Sequence, residues 1–360
     1  MSFPFTDDHE MIRDAVRSFL QDWYDGGKGP ERMANSGLGY DPLAWASFAK
    51  ELGMAGIAIG EAYGGAGMGD LGRVVVMEEL GASLCAMPFS PSATIAVDML
   101  TAFGDEAAQK TYLPQLACGE LIAAYTDGHS LFSNEDDLLN GSIRDVLFAE
   151  QADILLISMS QGSGRALYAV PQKTDGVIIS GVKTMDPTRG FSDVEFVGVK
   201  LSDLEKLGEG PSSAFNDIVK TSFIGLAAEC VGGAQKCLDM TLEYAAQRVQ
   251  FGRPISSFQA IKHRCADMYV MLEAARSATY AAALAEEDEK VEAALIAKAY
   301  ASDAFFKIAG DALQLHGGIG FTWEYPLHYF FKRARANKAV FGSSSQAYNA
   351  LADQLFEGAA

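Results

Sequence analysis

The chain has 360 residues, of which 49% are hydrophobic and 21% charged, a composition typical of a globular protein with a sizeable buried core. Its net charge of −19 argues against partners that need a basic footprint, namely nucleic acids and anionic membrane surfaces. An anionic ligand can bind only at a local basic island. Two such islands occur, at 262–264 and 332–338, and each alone is more typical of a solvated helix face.

The N-terminus lacks the basic and apolar segments of a secretory signal, and no apolar run is long enough to span a bilayer. We therefore expect a cytoplasmic protein. The cysteines lack C-x-x-C spacing, which favours reduced, mostly buried thiols over a disulfide framework, and no metal site is predicted. The cysteines are Cys85, Cys118, Cys230, Cys237 and Cys265.

Residues 1–119 are predicted to form an N-terminal helical domain. An apolar stripe with helical spacing follows Asp7 or Asp8, either of which is the expected N-cap of the first helix. Asp41 and Asp70 are expected to begin two further helices. The stripe consists of Met11, Ile12, Ala15, Val16, Phe19 and Leu20.

Residues 120–212 change to short runs rich in β-branched residues, which predict a small middle β-domain. Turns are expected at Asn140-Gly141 and at residues 174–176, between the strands. The expected strands are 154–158, 166–170, 177–180 and 194–199.

Residues 213–360 return to helical periodicity and predict a C-terminal helical bundle. Helical N-domain, β middle domain and helical C-domain together define an α+β fold. The four expected long helices are Ile218–Val249, Ser257–Ala285, Val291–Leu315 and Ser344–Phe356.

Two motifs lie at the ends of these C-terminal helices. Arg248 and Gln250 stand where the first helix is expected to stop, so both should project at an exposed corner. A guanidinium matches a diphosphate by its fork geometry, a Gln amide can bind a ribose or an adenine edge, and Phe251 offers a stacking face. Gln314 ends another helix, and Gly317 with Gly318 would let backbone approach a ligand. A plain helix C-terminus with a left-handed glycine explains the glycines equally well.

These motifs, with the order of the domains, resemble the acyl-CoA dehydrogenase family, which are FAD-dependent α,β-desaturases. The resemblance covers nearly the whole chain, including the opening at 5–8 and the glycine-rich turn at 61–67. It implies that one group of residues embraces the ADP half of a FAD whose flavin ring lies in the neighbouring subunit. That group is Arg248, Gln250, Phe251, Gln259, Gln314 and Gly318, next to Gly317.

The chain departs from the family at the flavin ring. The first flavin-contacting motif of the middle domain is reduced to residues 125–130, and the second reads Asn-Gly-Ser-Ile-Arg-Asp-Val-Leu at 140–147. Asp145 takes the position of a Trp that covers the ring, and Leu147 that of a hydrogen-bonding Thr. Neither can replace those contacts. We therefore expect a degenerate flavin pocket.

The chain also lacks the family's catalytic base. Desaturation needs a carboxylate within hydrogen-bond reach of the α-proton. One family position for that Glu corresponds to Gly342, and the other aligns with Ser222 and its neighbour Phe223. Asp127, His129 and Asp145 are conceivable substitutes, although polar loop residues of a remodelled domain are the better interpretation. No residue of this chain is therefore predicted to be catalytic.

The resemblance and its gaps lead to one favoured function and two alternatives. The favoured function is the non-catalytic subunit of a heteromeric, α2β2 acyl-CoA dehydrogenase of the type that degrades steroid side chains. A paralogous partner would supply the base, the acyl-CoA site and the flavin pocket, FAD would be shared, and electron-transferring flavoprotein would accept electrons. The alternatives are a self-sufficient flavoenzyme with a relocated base and a flavin-free structural homologue.

Overall fold

The computed structural model describes residues 5–37, 39–133 and 137–357. The chain forms two compact units. The first comprises Met1–Arg32, Asp70–Cys85 and Phe223–Ala360, and the second comprises Met33–Gly69 and Ala86–Ser222. The mixture of helices with a middle β region confirms the predicted α+β fold. No helix in the described ranges is long and apolar enough to cross a membrane.

The helices, in chain order, are α1 (Asp7–Tyr24), α2 (Lys28–Ser36), α3 (Pro42–Ala46), α4 (Gly69–Ser83), α5 (Val97–Phe103), α6 (Glu106–Ala117), α7 (Ser212–Thr221), α8 (Phe223–Gln247), α9 (Gln259–Ala283), α10 (Glu287–His316), α11 (Leu327–Asn337) and α12 (Ser344–Glu357). The strands are β1 (Ala123–Asp127), β2 (Phe132–Ser133), β3 (Leu138–Leu147), β4 (Ile154–Gln161), β5 (Gly164–Pro171), β6 (Val177–Gly181), β7 (Phe191–Lys200), β8 (Glu205–Gly210), β9 (Val249–Gln250) and β10 (Arg253–Pro254).

The N-terminal helix begins one residue earlier than predicted. Thr6, not Asp7 or Asp8, is the N-cap, and its hydroxyl lies 2.8 Å from Nδ1 of His9. The predicted stripe is buried at Val16 and Leu20, but Met11 is 62% exposed and does not belong to the core. The predicted cap at Asp41 is confirmed, because its carboxylate accepts backbone N–H groups from the first turn of α3. The predicted helix at Asp70 corresponds to α4, which begins one residue earlier, at Gly69.

Two glycines set the distance between α4 and α8. A Cβ added to Gly81 would lie 2.1 Å from the carbonyl oxygen of Glu229, and one added to Gly232 would lie 1.7 Å from that of Glu78. Both positions therefore need glycine, since a methyl group would collide with the backbone of the opposite helix. This close crossing lies in the core of the first unit.

The C-terminal helices follow the prediction with two corrections. The predicted helix Ile218–Val249 is interrupted at Ser222, because the hydroxyls of Thr221 and Ser222 bond back to preceding carbonyl groups. The periodicity also missed α11, whose basic residues had suggested a solvated helix face. That interpretation is wrong for Arg333, which is 3% exposed. It is correct for the exposed Lys262 and His263. The thiols are mostly buried as predicted, with Cys118 partly exposed.

The second unit contains two four-stranded sheets, in the orders β1-β4-β5-β8 and β2-β3-β7-β6. Strand β1 pairs parallel with β4, and the other strand pairs described in these two sheets are antiparallel. All four predicted strands are confirmed within β4, β5, β6 and β7. The turn predicted at Asn140-Gly141 is wrong. These residues lie inside β3, where the register with β7 shifts at a bulge and Gly141 adopts a φ of 131°.

The glycine crossing generates a stability prediction. We expect Gly232→Ala to lower the free energy of unfolding by about 1–3 kcal/mol, because the methyl group must displace α4. Gly310→Ala in α10 is the matched control, since its added Cβ would meet only Phe331, at 3.7 Å. That substitution should be neutral or stabilise the protein by up to about 1 kcal/mol. Urea denaturation followed by circular dichroism measures both, and equal effects would contradict the prediction.

Candidate functional site

The first predicted motif forms a tight hairpin immediately after α8. Arg248 follows the last residue of the helix, and β9 pairs with β10 across a two-residue turn formed by Phe251 and Gly252. The φ angles of these turn residues are 52° and 77°, the pattern of a type I′ hairpin turn. The predicted end of the helix before Gly252 is thereby confirmed.

The turn presents an aromatic side chain to solvent. Phe251 is 90% exposed. Its φ is positive, a conformation that is unfavourable for a residue other than glycine. Its ring meets the edge of Phe258 with 6.1 Å between centroids, and the guanidinium of Arg253 lies 4.2 Å from the centroid of Phe258. Phe258, which Arg253 covers in turn, therefore supports the turn.

The second predicted motif lies at the end of α10. Gln314 is in the last turn of that helix and is exposed, and Gly317 and Gly318 follow directly and are also exposed. Gly317 has a φ of 64°, which favours glycine. A Cβ added to either glycine would meet no atom within 4 Å. Open space therefore lies over both glycines, as an approaching ligand would require.

A stacked pair of rings brings the two motifs together. The backbone N–H of Arg248 donates to the carbonyl oxygen of Tyr244 at 2.9 Å, and the Tyr244 ring stacks on His316 at 4.5 Å between centroids. The motifs therefore meet at one end of the helical bundle. We call the seven predicted residues, all solvent-exposed, the exposed corner: Arg248, Gln250, Phe251, Gln259, Gln314, Gly317 and Gly318.

The position predicted to lack the base has a backbone that only glycine suits. Phe341 and Gly342 have φ angles of 56° and 97°, and a Cβ at 342 would lie 3.1 Å from Oε1 of Gln346. The carbonyl oxygen of Gly342 accepts a hydrogen bond from the ammonium of Lys298, which is 1% exposed. Burial lowers the pKa of that ammonium. The loop thus presents a carbonyl group bound to a buried cation and no carboxylate.

The second base position is also without a carboxylate. The Ser222 hydroxyl donates a hydrogen bond to the carbonyl oxygen of Val219 at 2.6 Å, so it is engaged by the backbone. The Phe223 ring stacks on Phe341, with 6.1 Å between the centroids. An aromatic pair therefore joins the start of α8 to the loop that contains Gly342.

The sequence missed a buried carboxylate in α8. Glu229 is 4% exposed and accepts a hydrogen bond from the Arg333 guanidinium at 2.7 Å. The Asn337 amide lies 3.5 Å from the same oxygen. A carboxylate bound in this way is stabilised as an anion and is a poor general base. Nothing in the local pattern around Glu229 indicated its partner, which is 104 residues away in the chain.

The two segments that resemble flavin-contacting motifs are bound to each other. Ser130 donates its hydroxyl to the carbonyl oxygen of Ser142 at 2.6 Å, and β2 pairs with β3 at Phe132 and Asn140. A Cβ at Gly141 would lie 2.6 Å from the carbonyl oxygen of Ser130. These segments therefore satisfy each other's polar groups. Leu147, at the end of β3, is buried among the sheet side chains.

The three conceivable substitute bases have little capacity for that role. Asp127 pairs with Arg165 at 2.6 Å, and the His129 side chain is 74% exposed. Asp145 is exposed, has a φ of 57°, and donates its backbone N–H to the carboxylate of Asp193. His129 lies in a turn, as expected, but Asp127 ends β1 and Asp145 lies inside β3, so the predicted loop placement is wrong for both aspartates.

Comparison with known proteins identifies the family of the chain. The family model described as "Acyl-CoA dehydrogenase, N-terminal domain" matches residues 6–120, and "Acyl-CoA dehydrogenase, C-terminal domain" matches residues 220–356. A curated relative, "Acyl-CoA dehydrogenase IpdE2" from Mycobacterium tuberculosis, is 33% identical over 351 residues. The alignment covers 98% of each chain.

Solved structures of similar fold include one that is named as a complex and one that is named as a steroid ACAD variant. The ChsE4-ChsE5 complex from Mycobacterium tuberculosis matches with a TM-score of 0.88 and 25% identity, covering 99% of each chain. The Tcur3481-Tcur3483 steroid ACAD G363A variant matches with a TM-score of 0.86 and 26% identity, covering 98% of this chain and 99% of the other.

The Glu229–Arg333 pair yields a prediction about stability. Glu229→Ala should lower the free energy of unfolding by about 3–5 kcal/mol, because it leaves the buried Arg333 guanidinium without its carboxylate. Lys110→Ala removes an exposed ion pair with Glu106 and should change stability by less than about 1 kcal/mol. Chemical denaturation distinguishes the two, and a Glu229→Ala effect as small as the control would contradict the interpretation.

Proposed function

The chain belongs to the acyl-CoA dehydrogenase family, and we propose that it is the non-catalytic subunit of a heteromeric, FAD-dependent member of that family. In this proposal a paralogous partner carries the catalytic Glu, the acyl-CoA site and the flavin pocket. This chain contributes the exposed corner to the ADP half of the shared FAD. FAD, when bound, accepts the hydride that leaves the β-carbon of the acyl chain.

The observation that carries the proposal is the contrast between the exposed corner and the base position. The corner keeps an Arg, a Gln and a stacking ring open to solvent around two uncrowded glycines. Arg248 can pair with a diphosphate by two parallel hydrogen bonds, and the space over Gly317 and Gly318 admits a ligand. The residues present therefore fit the ADP half of FAD.

The rest of the cofactor does not fit the chain. The segments that match the flavin motifs hydrogen-bond each other, and Leu147 offers no polar group. At the base position the left-handed backbone of Gly342 disfavours any side chain. The lack of both flavin contacts and a base supports the proposal that this chain depends on a partner subunit for the reaction. Retention of the corner is hard to explain for a flavin-free homologue.

The relatives support the heteromeric assembly and suggest a substrate class. The similar ChsE4-ChsE5 structure is a complex, and the similar Tcur3481-Tcur3483 protein is called a steroid ACAD. We extend this to an α2β2 assembly that oxidises a steroid side-chain CoA thioester, with electron-transferring flavoprotein as the electron acceptor.

The proposal is tested by purifying the chain alone and after co-expression with a neighbouring paralogue. We expect the chain alone to contain little or no FAD, and the co-purified complex to contain equal numbers of both subunits with two FAD per tetramer. Absorbance of the flavin and native mass spectrometry measure both quantities. A yellow homo-oligomer with one FAD per chain would favour the self-sufficient flavoenzyme instead.

Arg248 tests the shared cofactor directly. In the complex, Arg248→Ala should weaken FAD retention by about 1.5–3 kcal/mol, because a charge-assisted contact to the diphosphate is lost. Arg248→Lys should lie between wild type and Ala, since it keeps the charge without the fork. Lys262→Ala, another exposed cation of the same unit, is the control. Unchanged FAD retention in Arg248→Ala would refute the shared site.

Gly342→Glu tests whether a missing side chain alone explains inactivity. We expect no desaturation by this variant alone. In the proposal this chain supplies no flavin pocket, and the φ of 97° strains any side chain at position 342. Removing the Glu of the partner should abolish turnover of the complex. The assay is reduction of a ferrocenium-type acceptor with acyl-CoA and steroid-CoA thioesters. Turnover by the unmodified chain alone would contradict the proposal that the active site lies in the partner subunit.

A further inference from the structure

We propose that His316 is a positioning residue for the exposed corner. Its buried ring fixes the Arg248 hairpin and the turn after Gln314 in a single arrangement. This inference rests on the proposed function, because it concerns how the same corner is preorganised for the ADP half of FAD. His316 itself is 3% exposed and lies behind that surface.

The hydrogen bonds of His316 determine its tautomer. Nδ1 lies 2.7 Å from the carbonyl oxygen of Ala312, and a carbonyl group cannot donate, so Nδ1 carries the hydrogen. Nε2 is then an acceptor, and the Tyr325 hydroxyl at 3.1 Å is its donor. Burial lowers the pKa of His316 and favours the neutral ring, in which these roles hold, while the backbone carbonyl groups of Ala312 and Met240 act in the opposite direction.

One face of the imidazole packs against Tyr244, the residue that connects it to the Arg248 hairpin. The Tyr244 ring lies on it at 4.5 Å with an angle of 22° between the planes. The Tyr244 carbonyl oxygen accepts the N–H of Arg248 at 2.9 Å, and the Arg248 carbonyl oxygen accepts the N–H of Ile255 at 2.8 Å. A shift of the His316 ring would therefore move Tyr244 and, through it, both strands of the hairpin.

The far edge of the imidazole controls the glycine turn. Tyr325 closes the segment that leaves α10 at Gly317, and its hydroxyl meets Nε2 of His316. Inside that segment, a Cβ at Gly320 would lie 3.1 Å from the Cβ of His316, so the backbone passes close to the ring. The turn therefore wraps around His316 while its two exposed glycines face outward.

Positioning matters here because the exposed corner has little other support. Its side chains lie in solvent, and their binding geometry depends on the backbone beneath them. A corner that is held in one arrangement loses less conformational freedom when it binds an ADP group. The contacts of His316 with Tyr325 and with Tyr244 are one connection between the two motifs.

The test uses the co-purified complex with bound FAD. Tyr325→Phe keeps the aromatic ring and removes only the hydroxyl that hydrogen-bonds Nε2 of His316. His316→Phe keeps an aromatic ring but removes the hydrogen bonds to Ala312 and to Tyr325. Tyr63→Phe is the matched control, because that hydroxyl donates to Gln109 at 2.9 Å in the other compact unit. FAD release is followed by the rise of free-flavin fluorescence after dilution, and Tm is measured on the same samples.

We expect Tyr325→Phe and His316→Phe to release FAD roughly 3- to 10-fold faster, as loss of one or two hydrogen bonds from the network implies. The double variant should be no faster than His316→Phe, because both act through the same bond. Tyr63→Phe should release FAD like wild type.

Two results would overturn the inference. If Tyr325→Phe and His316→Phe lower Tm but release FAD at the wild-type rate, His316 has only a structural role. If Arg248→Ala is also without effect on release, the shared site itself fails, and the inference fails with it. If His316→Phe does not fold, Tyr325→Phe alone decides, since it leaves the ring packing intact.

Discussion

The packing of α11 against α8 depends on a buried ion pair between Glu229 and Arg333. A charge taken out of water is tolerated only when a partner of opposite charge and further hydrogen bonds replace the solvent. Glu229 therefore fixes where α11 can lie against α8, with Asn337 as a further neighbour of its carboxylate. One end of α8 leads to the Arg248 hairpin, and α11 leads to the loop at Gly342. The helices that precede the exposed corner and the predicted base position are therefore both packed through this ion pair.

Neither predicted base position carries a carboxylate, and the backbone at position 342 is a further obstacle to one. A Glu could in principle be introduced by one substitution. Here, however, Phe341 and Gly342 adopt left-handed conformations, and the Gly342 carbonyl group accepts a hydrogen bond from Lys298, so a side chain at position 342 would be strained. Phe223, at the second base position, packs on Phe341. The two base positions have become parts of one packed cluster.

The helices and strands with strong periodicity were predictable from the sequence, and so was the exposed corner. The ends of α8 and α10 follow from Gly252, Pro254 and the glycines after His316, whose conformational rules act locally. The errors arose where tertiary packing overrode local patterns. Asn140-Gly141 resembles a turn but forms a bulge inside β3, because pairing with β7 continues on both sides of it.

The sequence by itself determined the family, the order of its domains and the residue types that are present or missing at the cofactor and base positions. Those features depend on identity and spacing along the chain. Only the tertiary structure decided that Arg333 is buried against Glu229, that Ser130 hydrogen-bonds β3 at Ser142, and that His316 contacts both Tyr244 and Tyr325. These contacts depend on how separate elements pack, and their energies depend on burial, which no local pattern encodes.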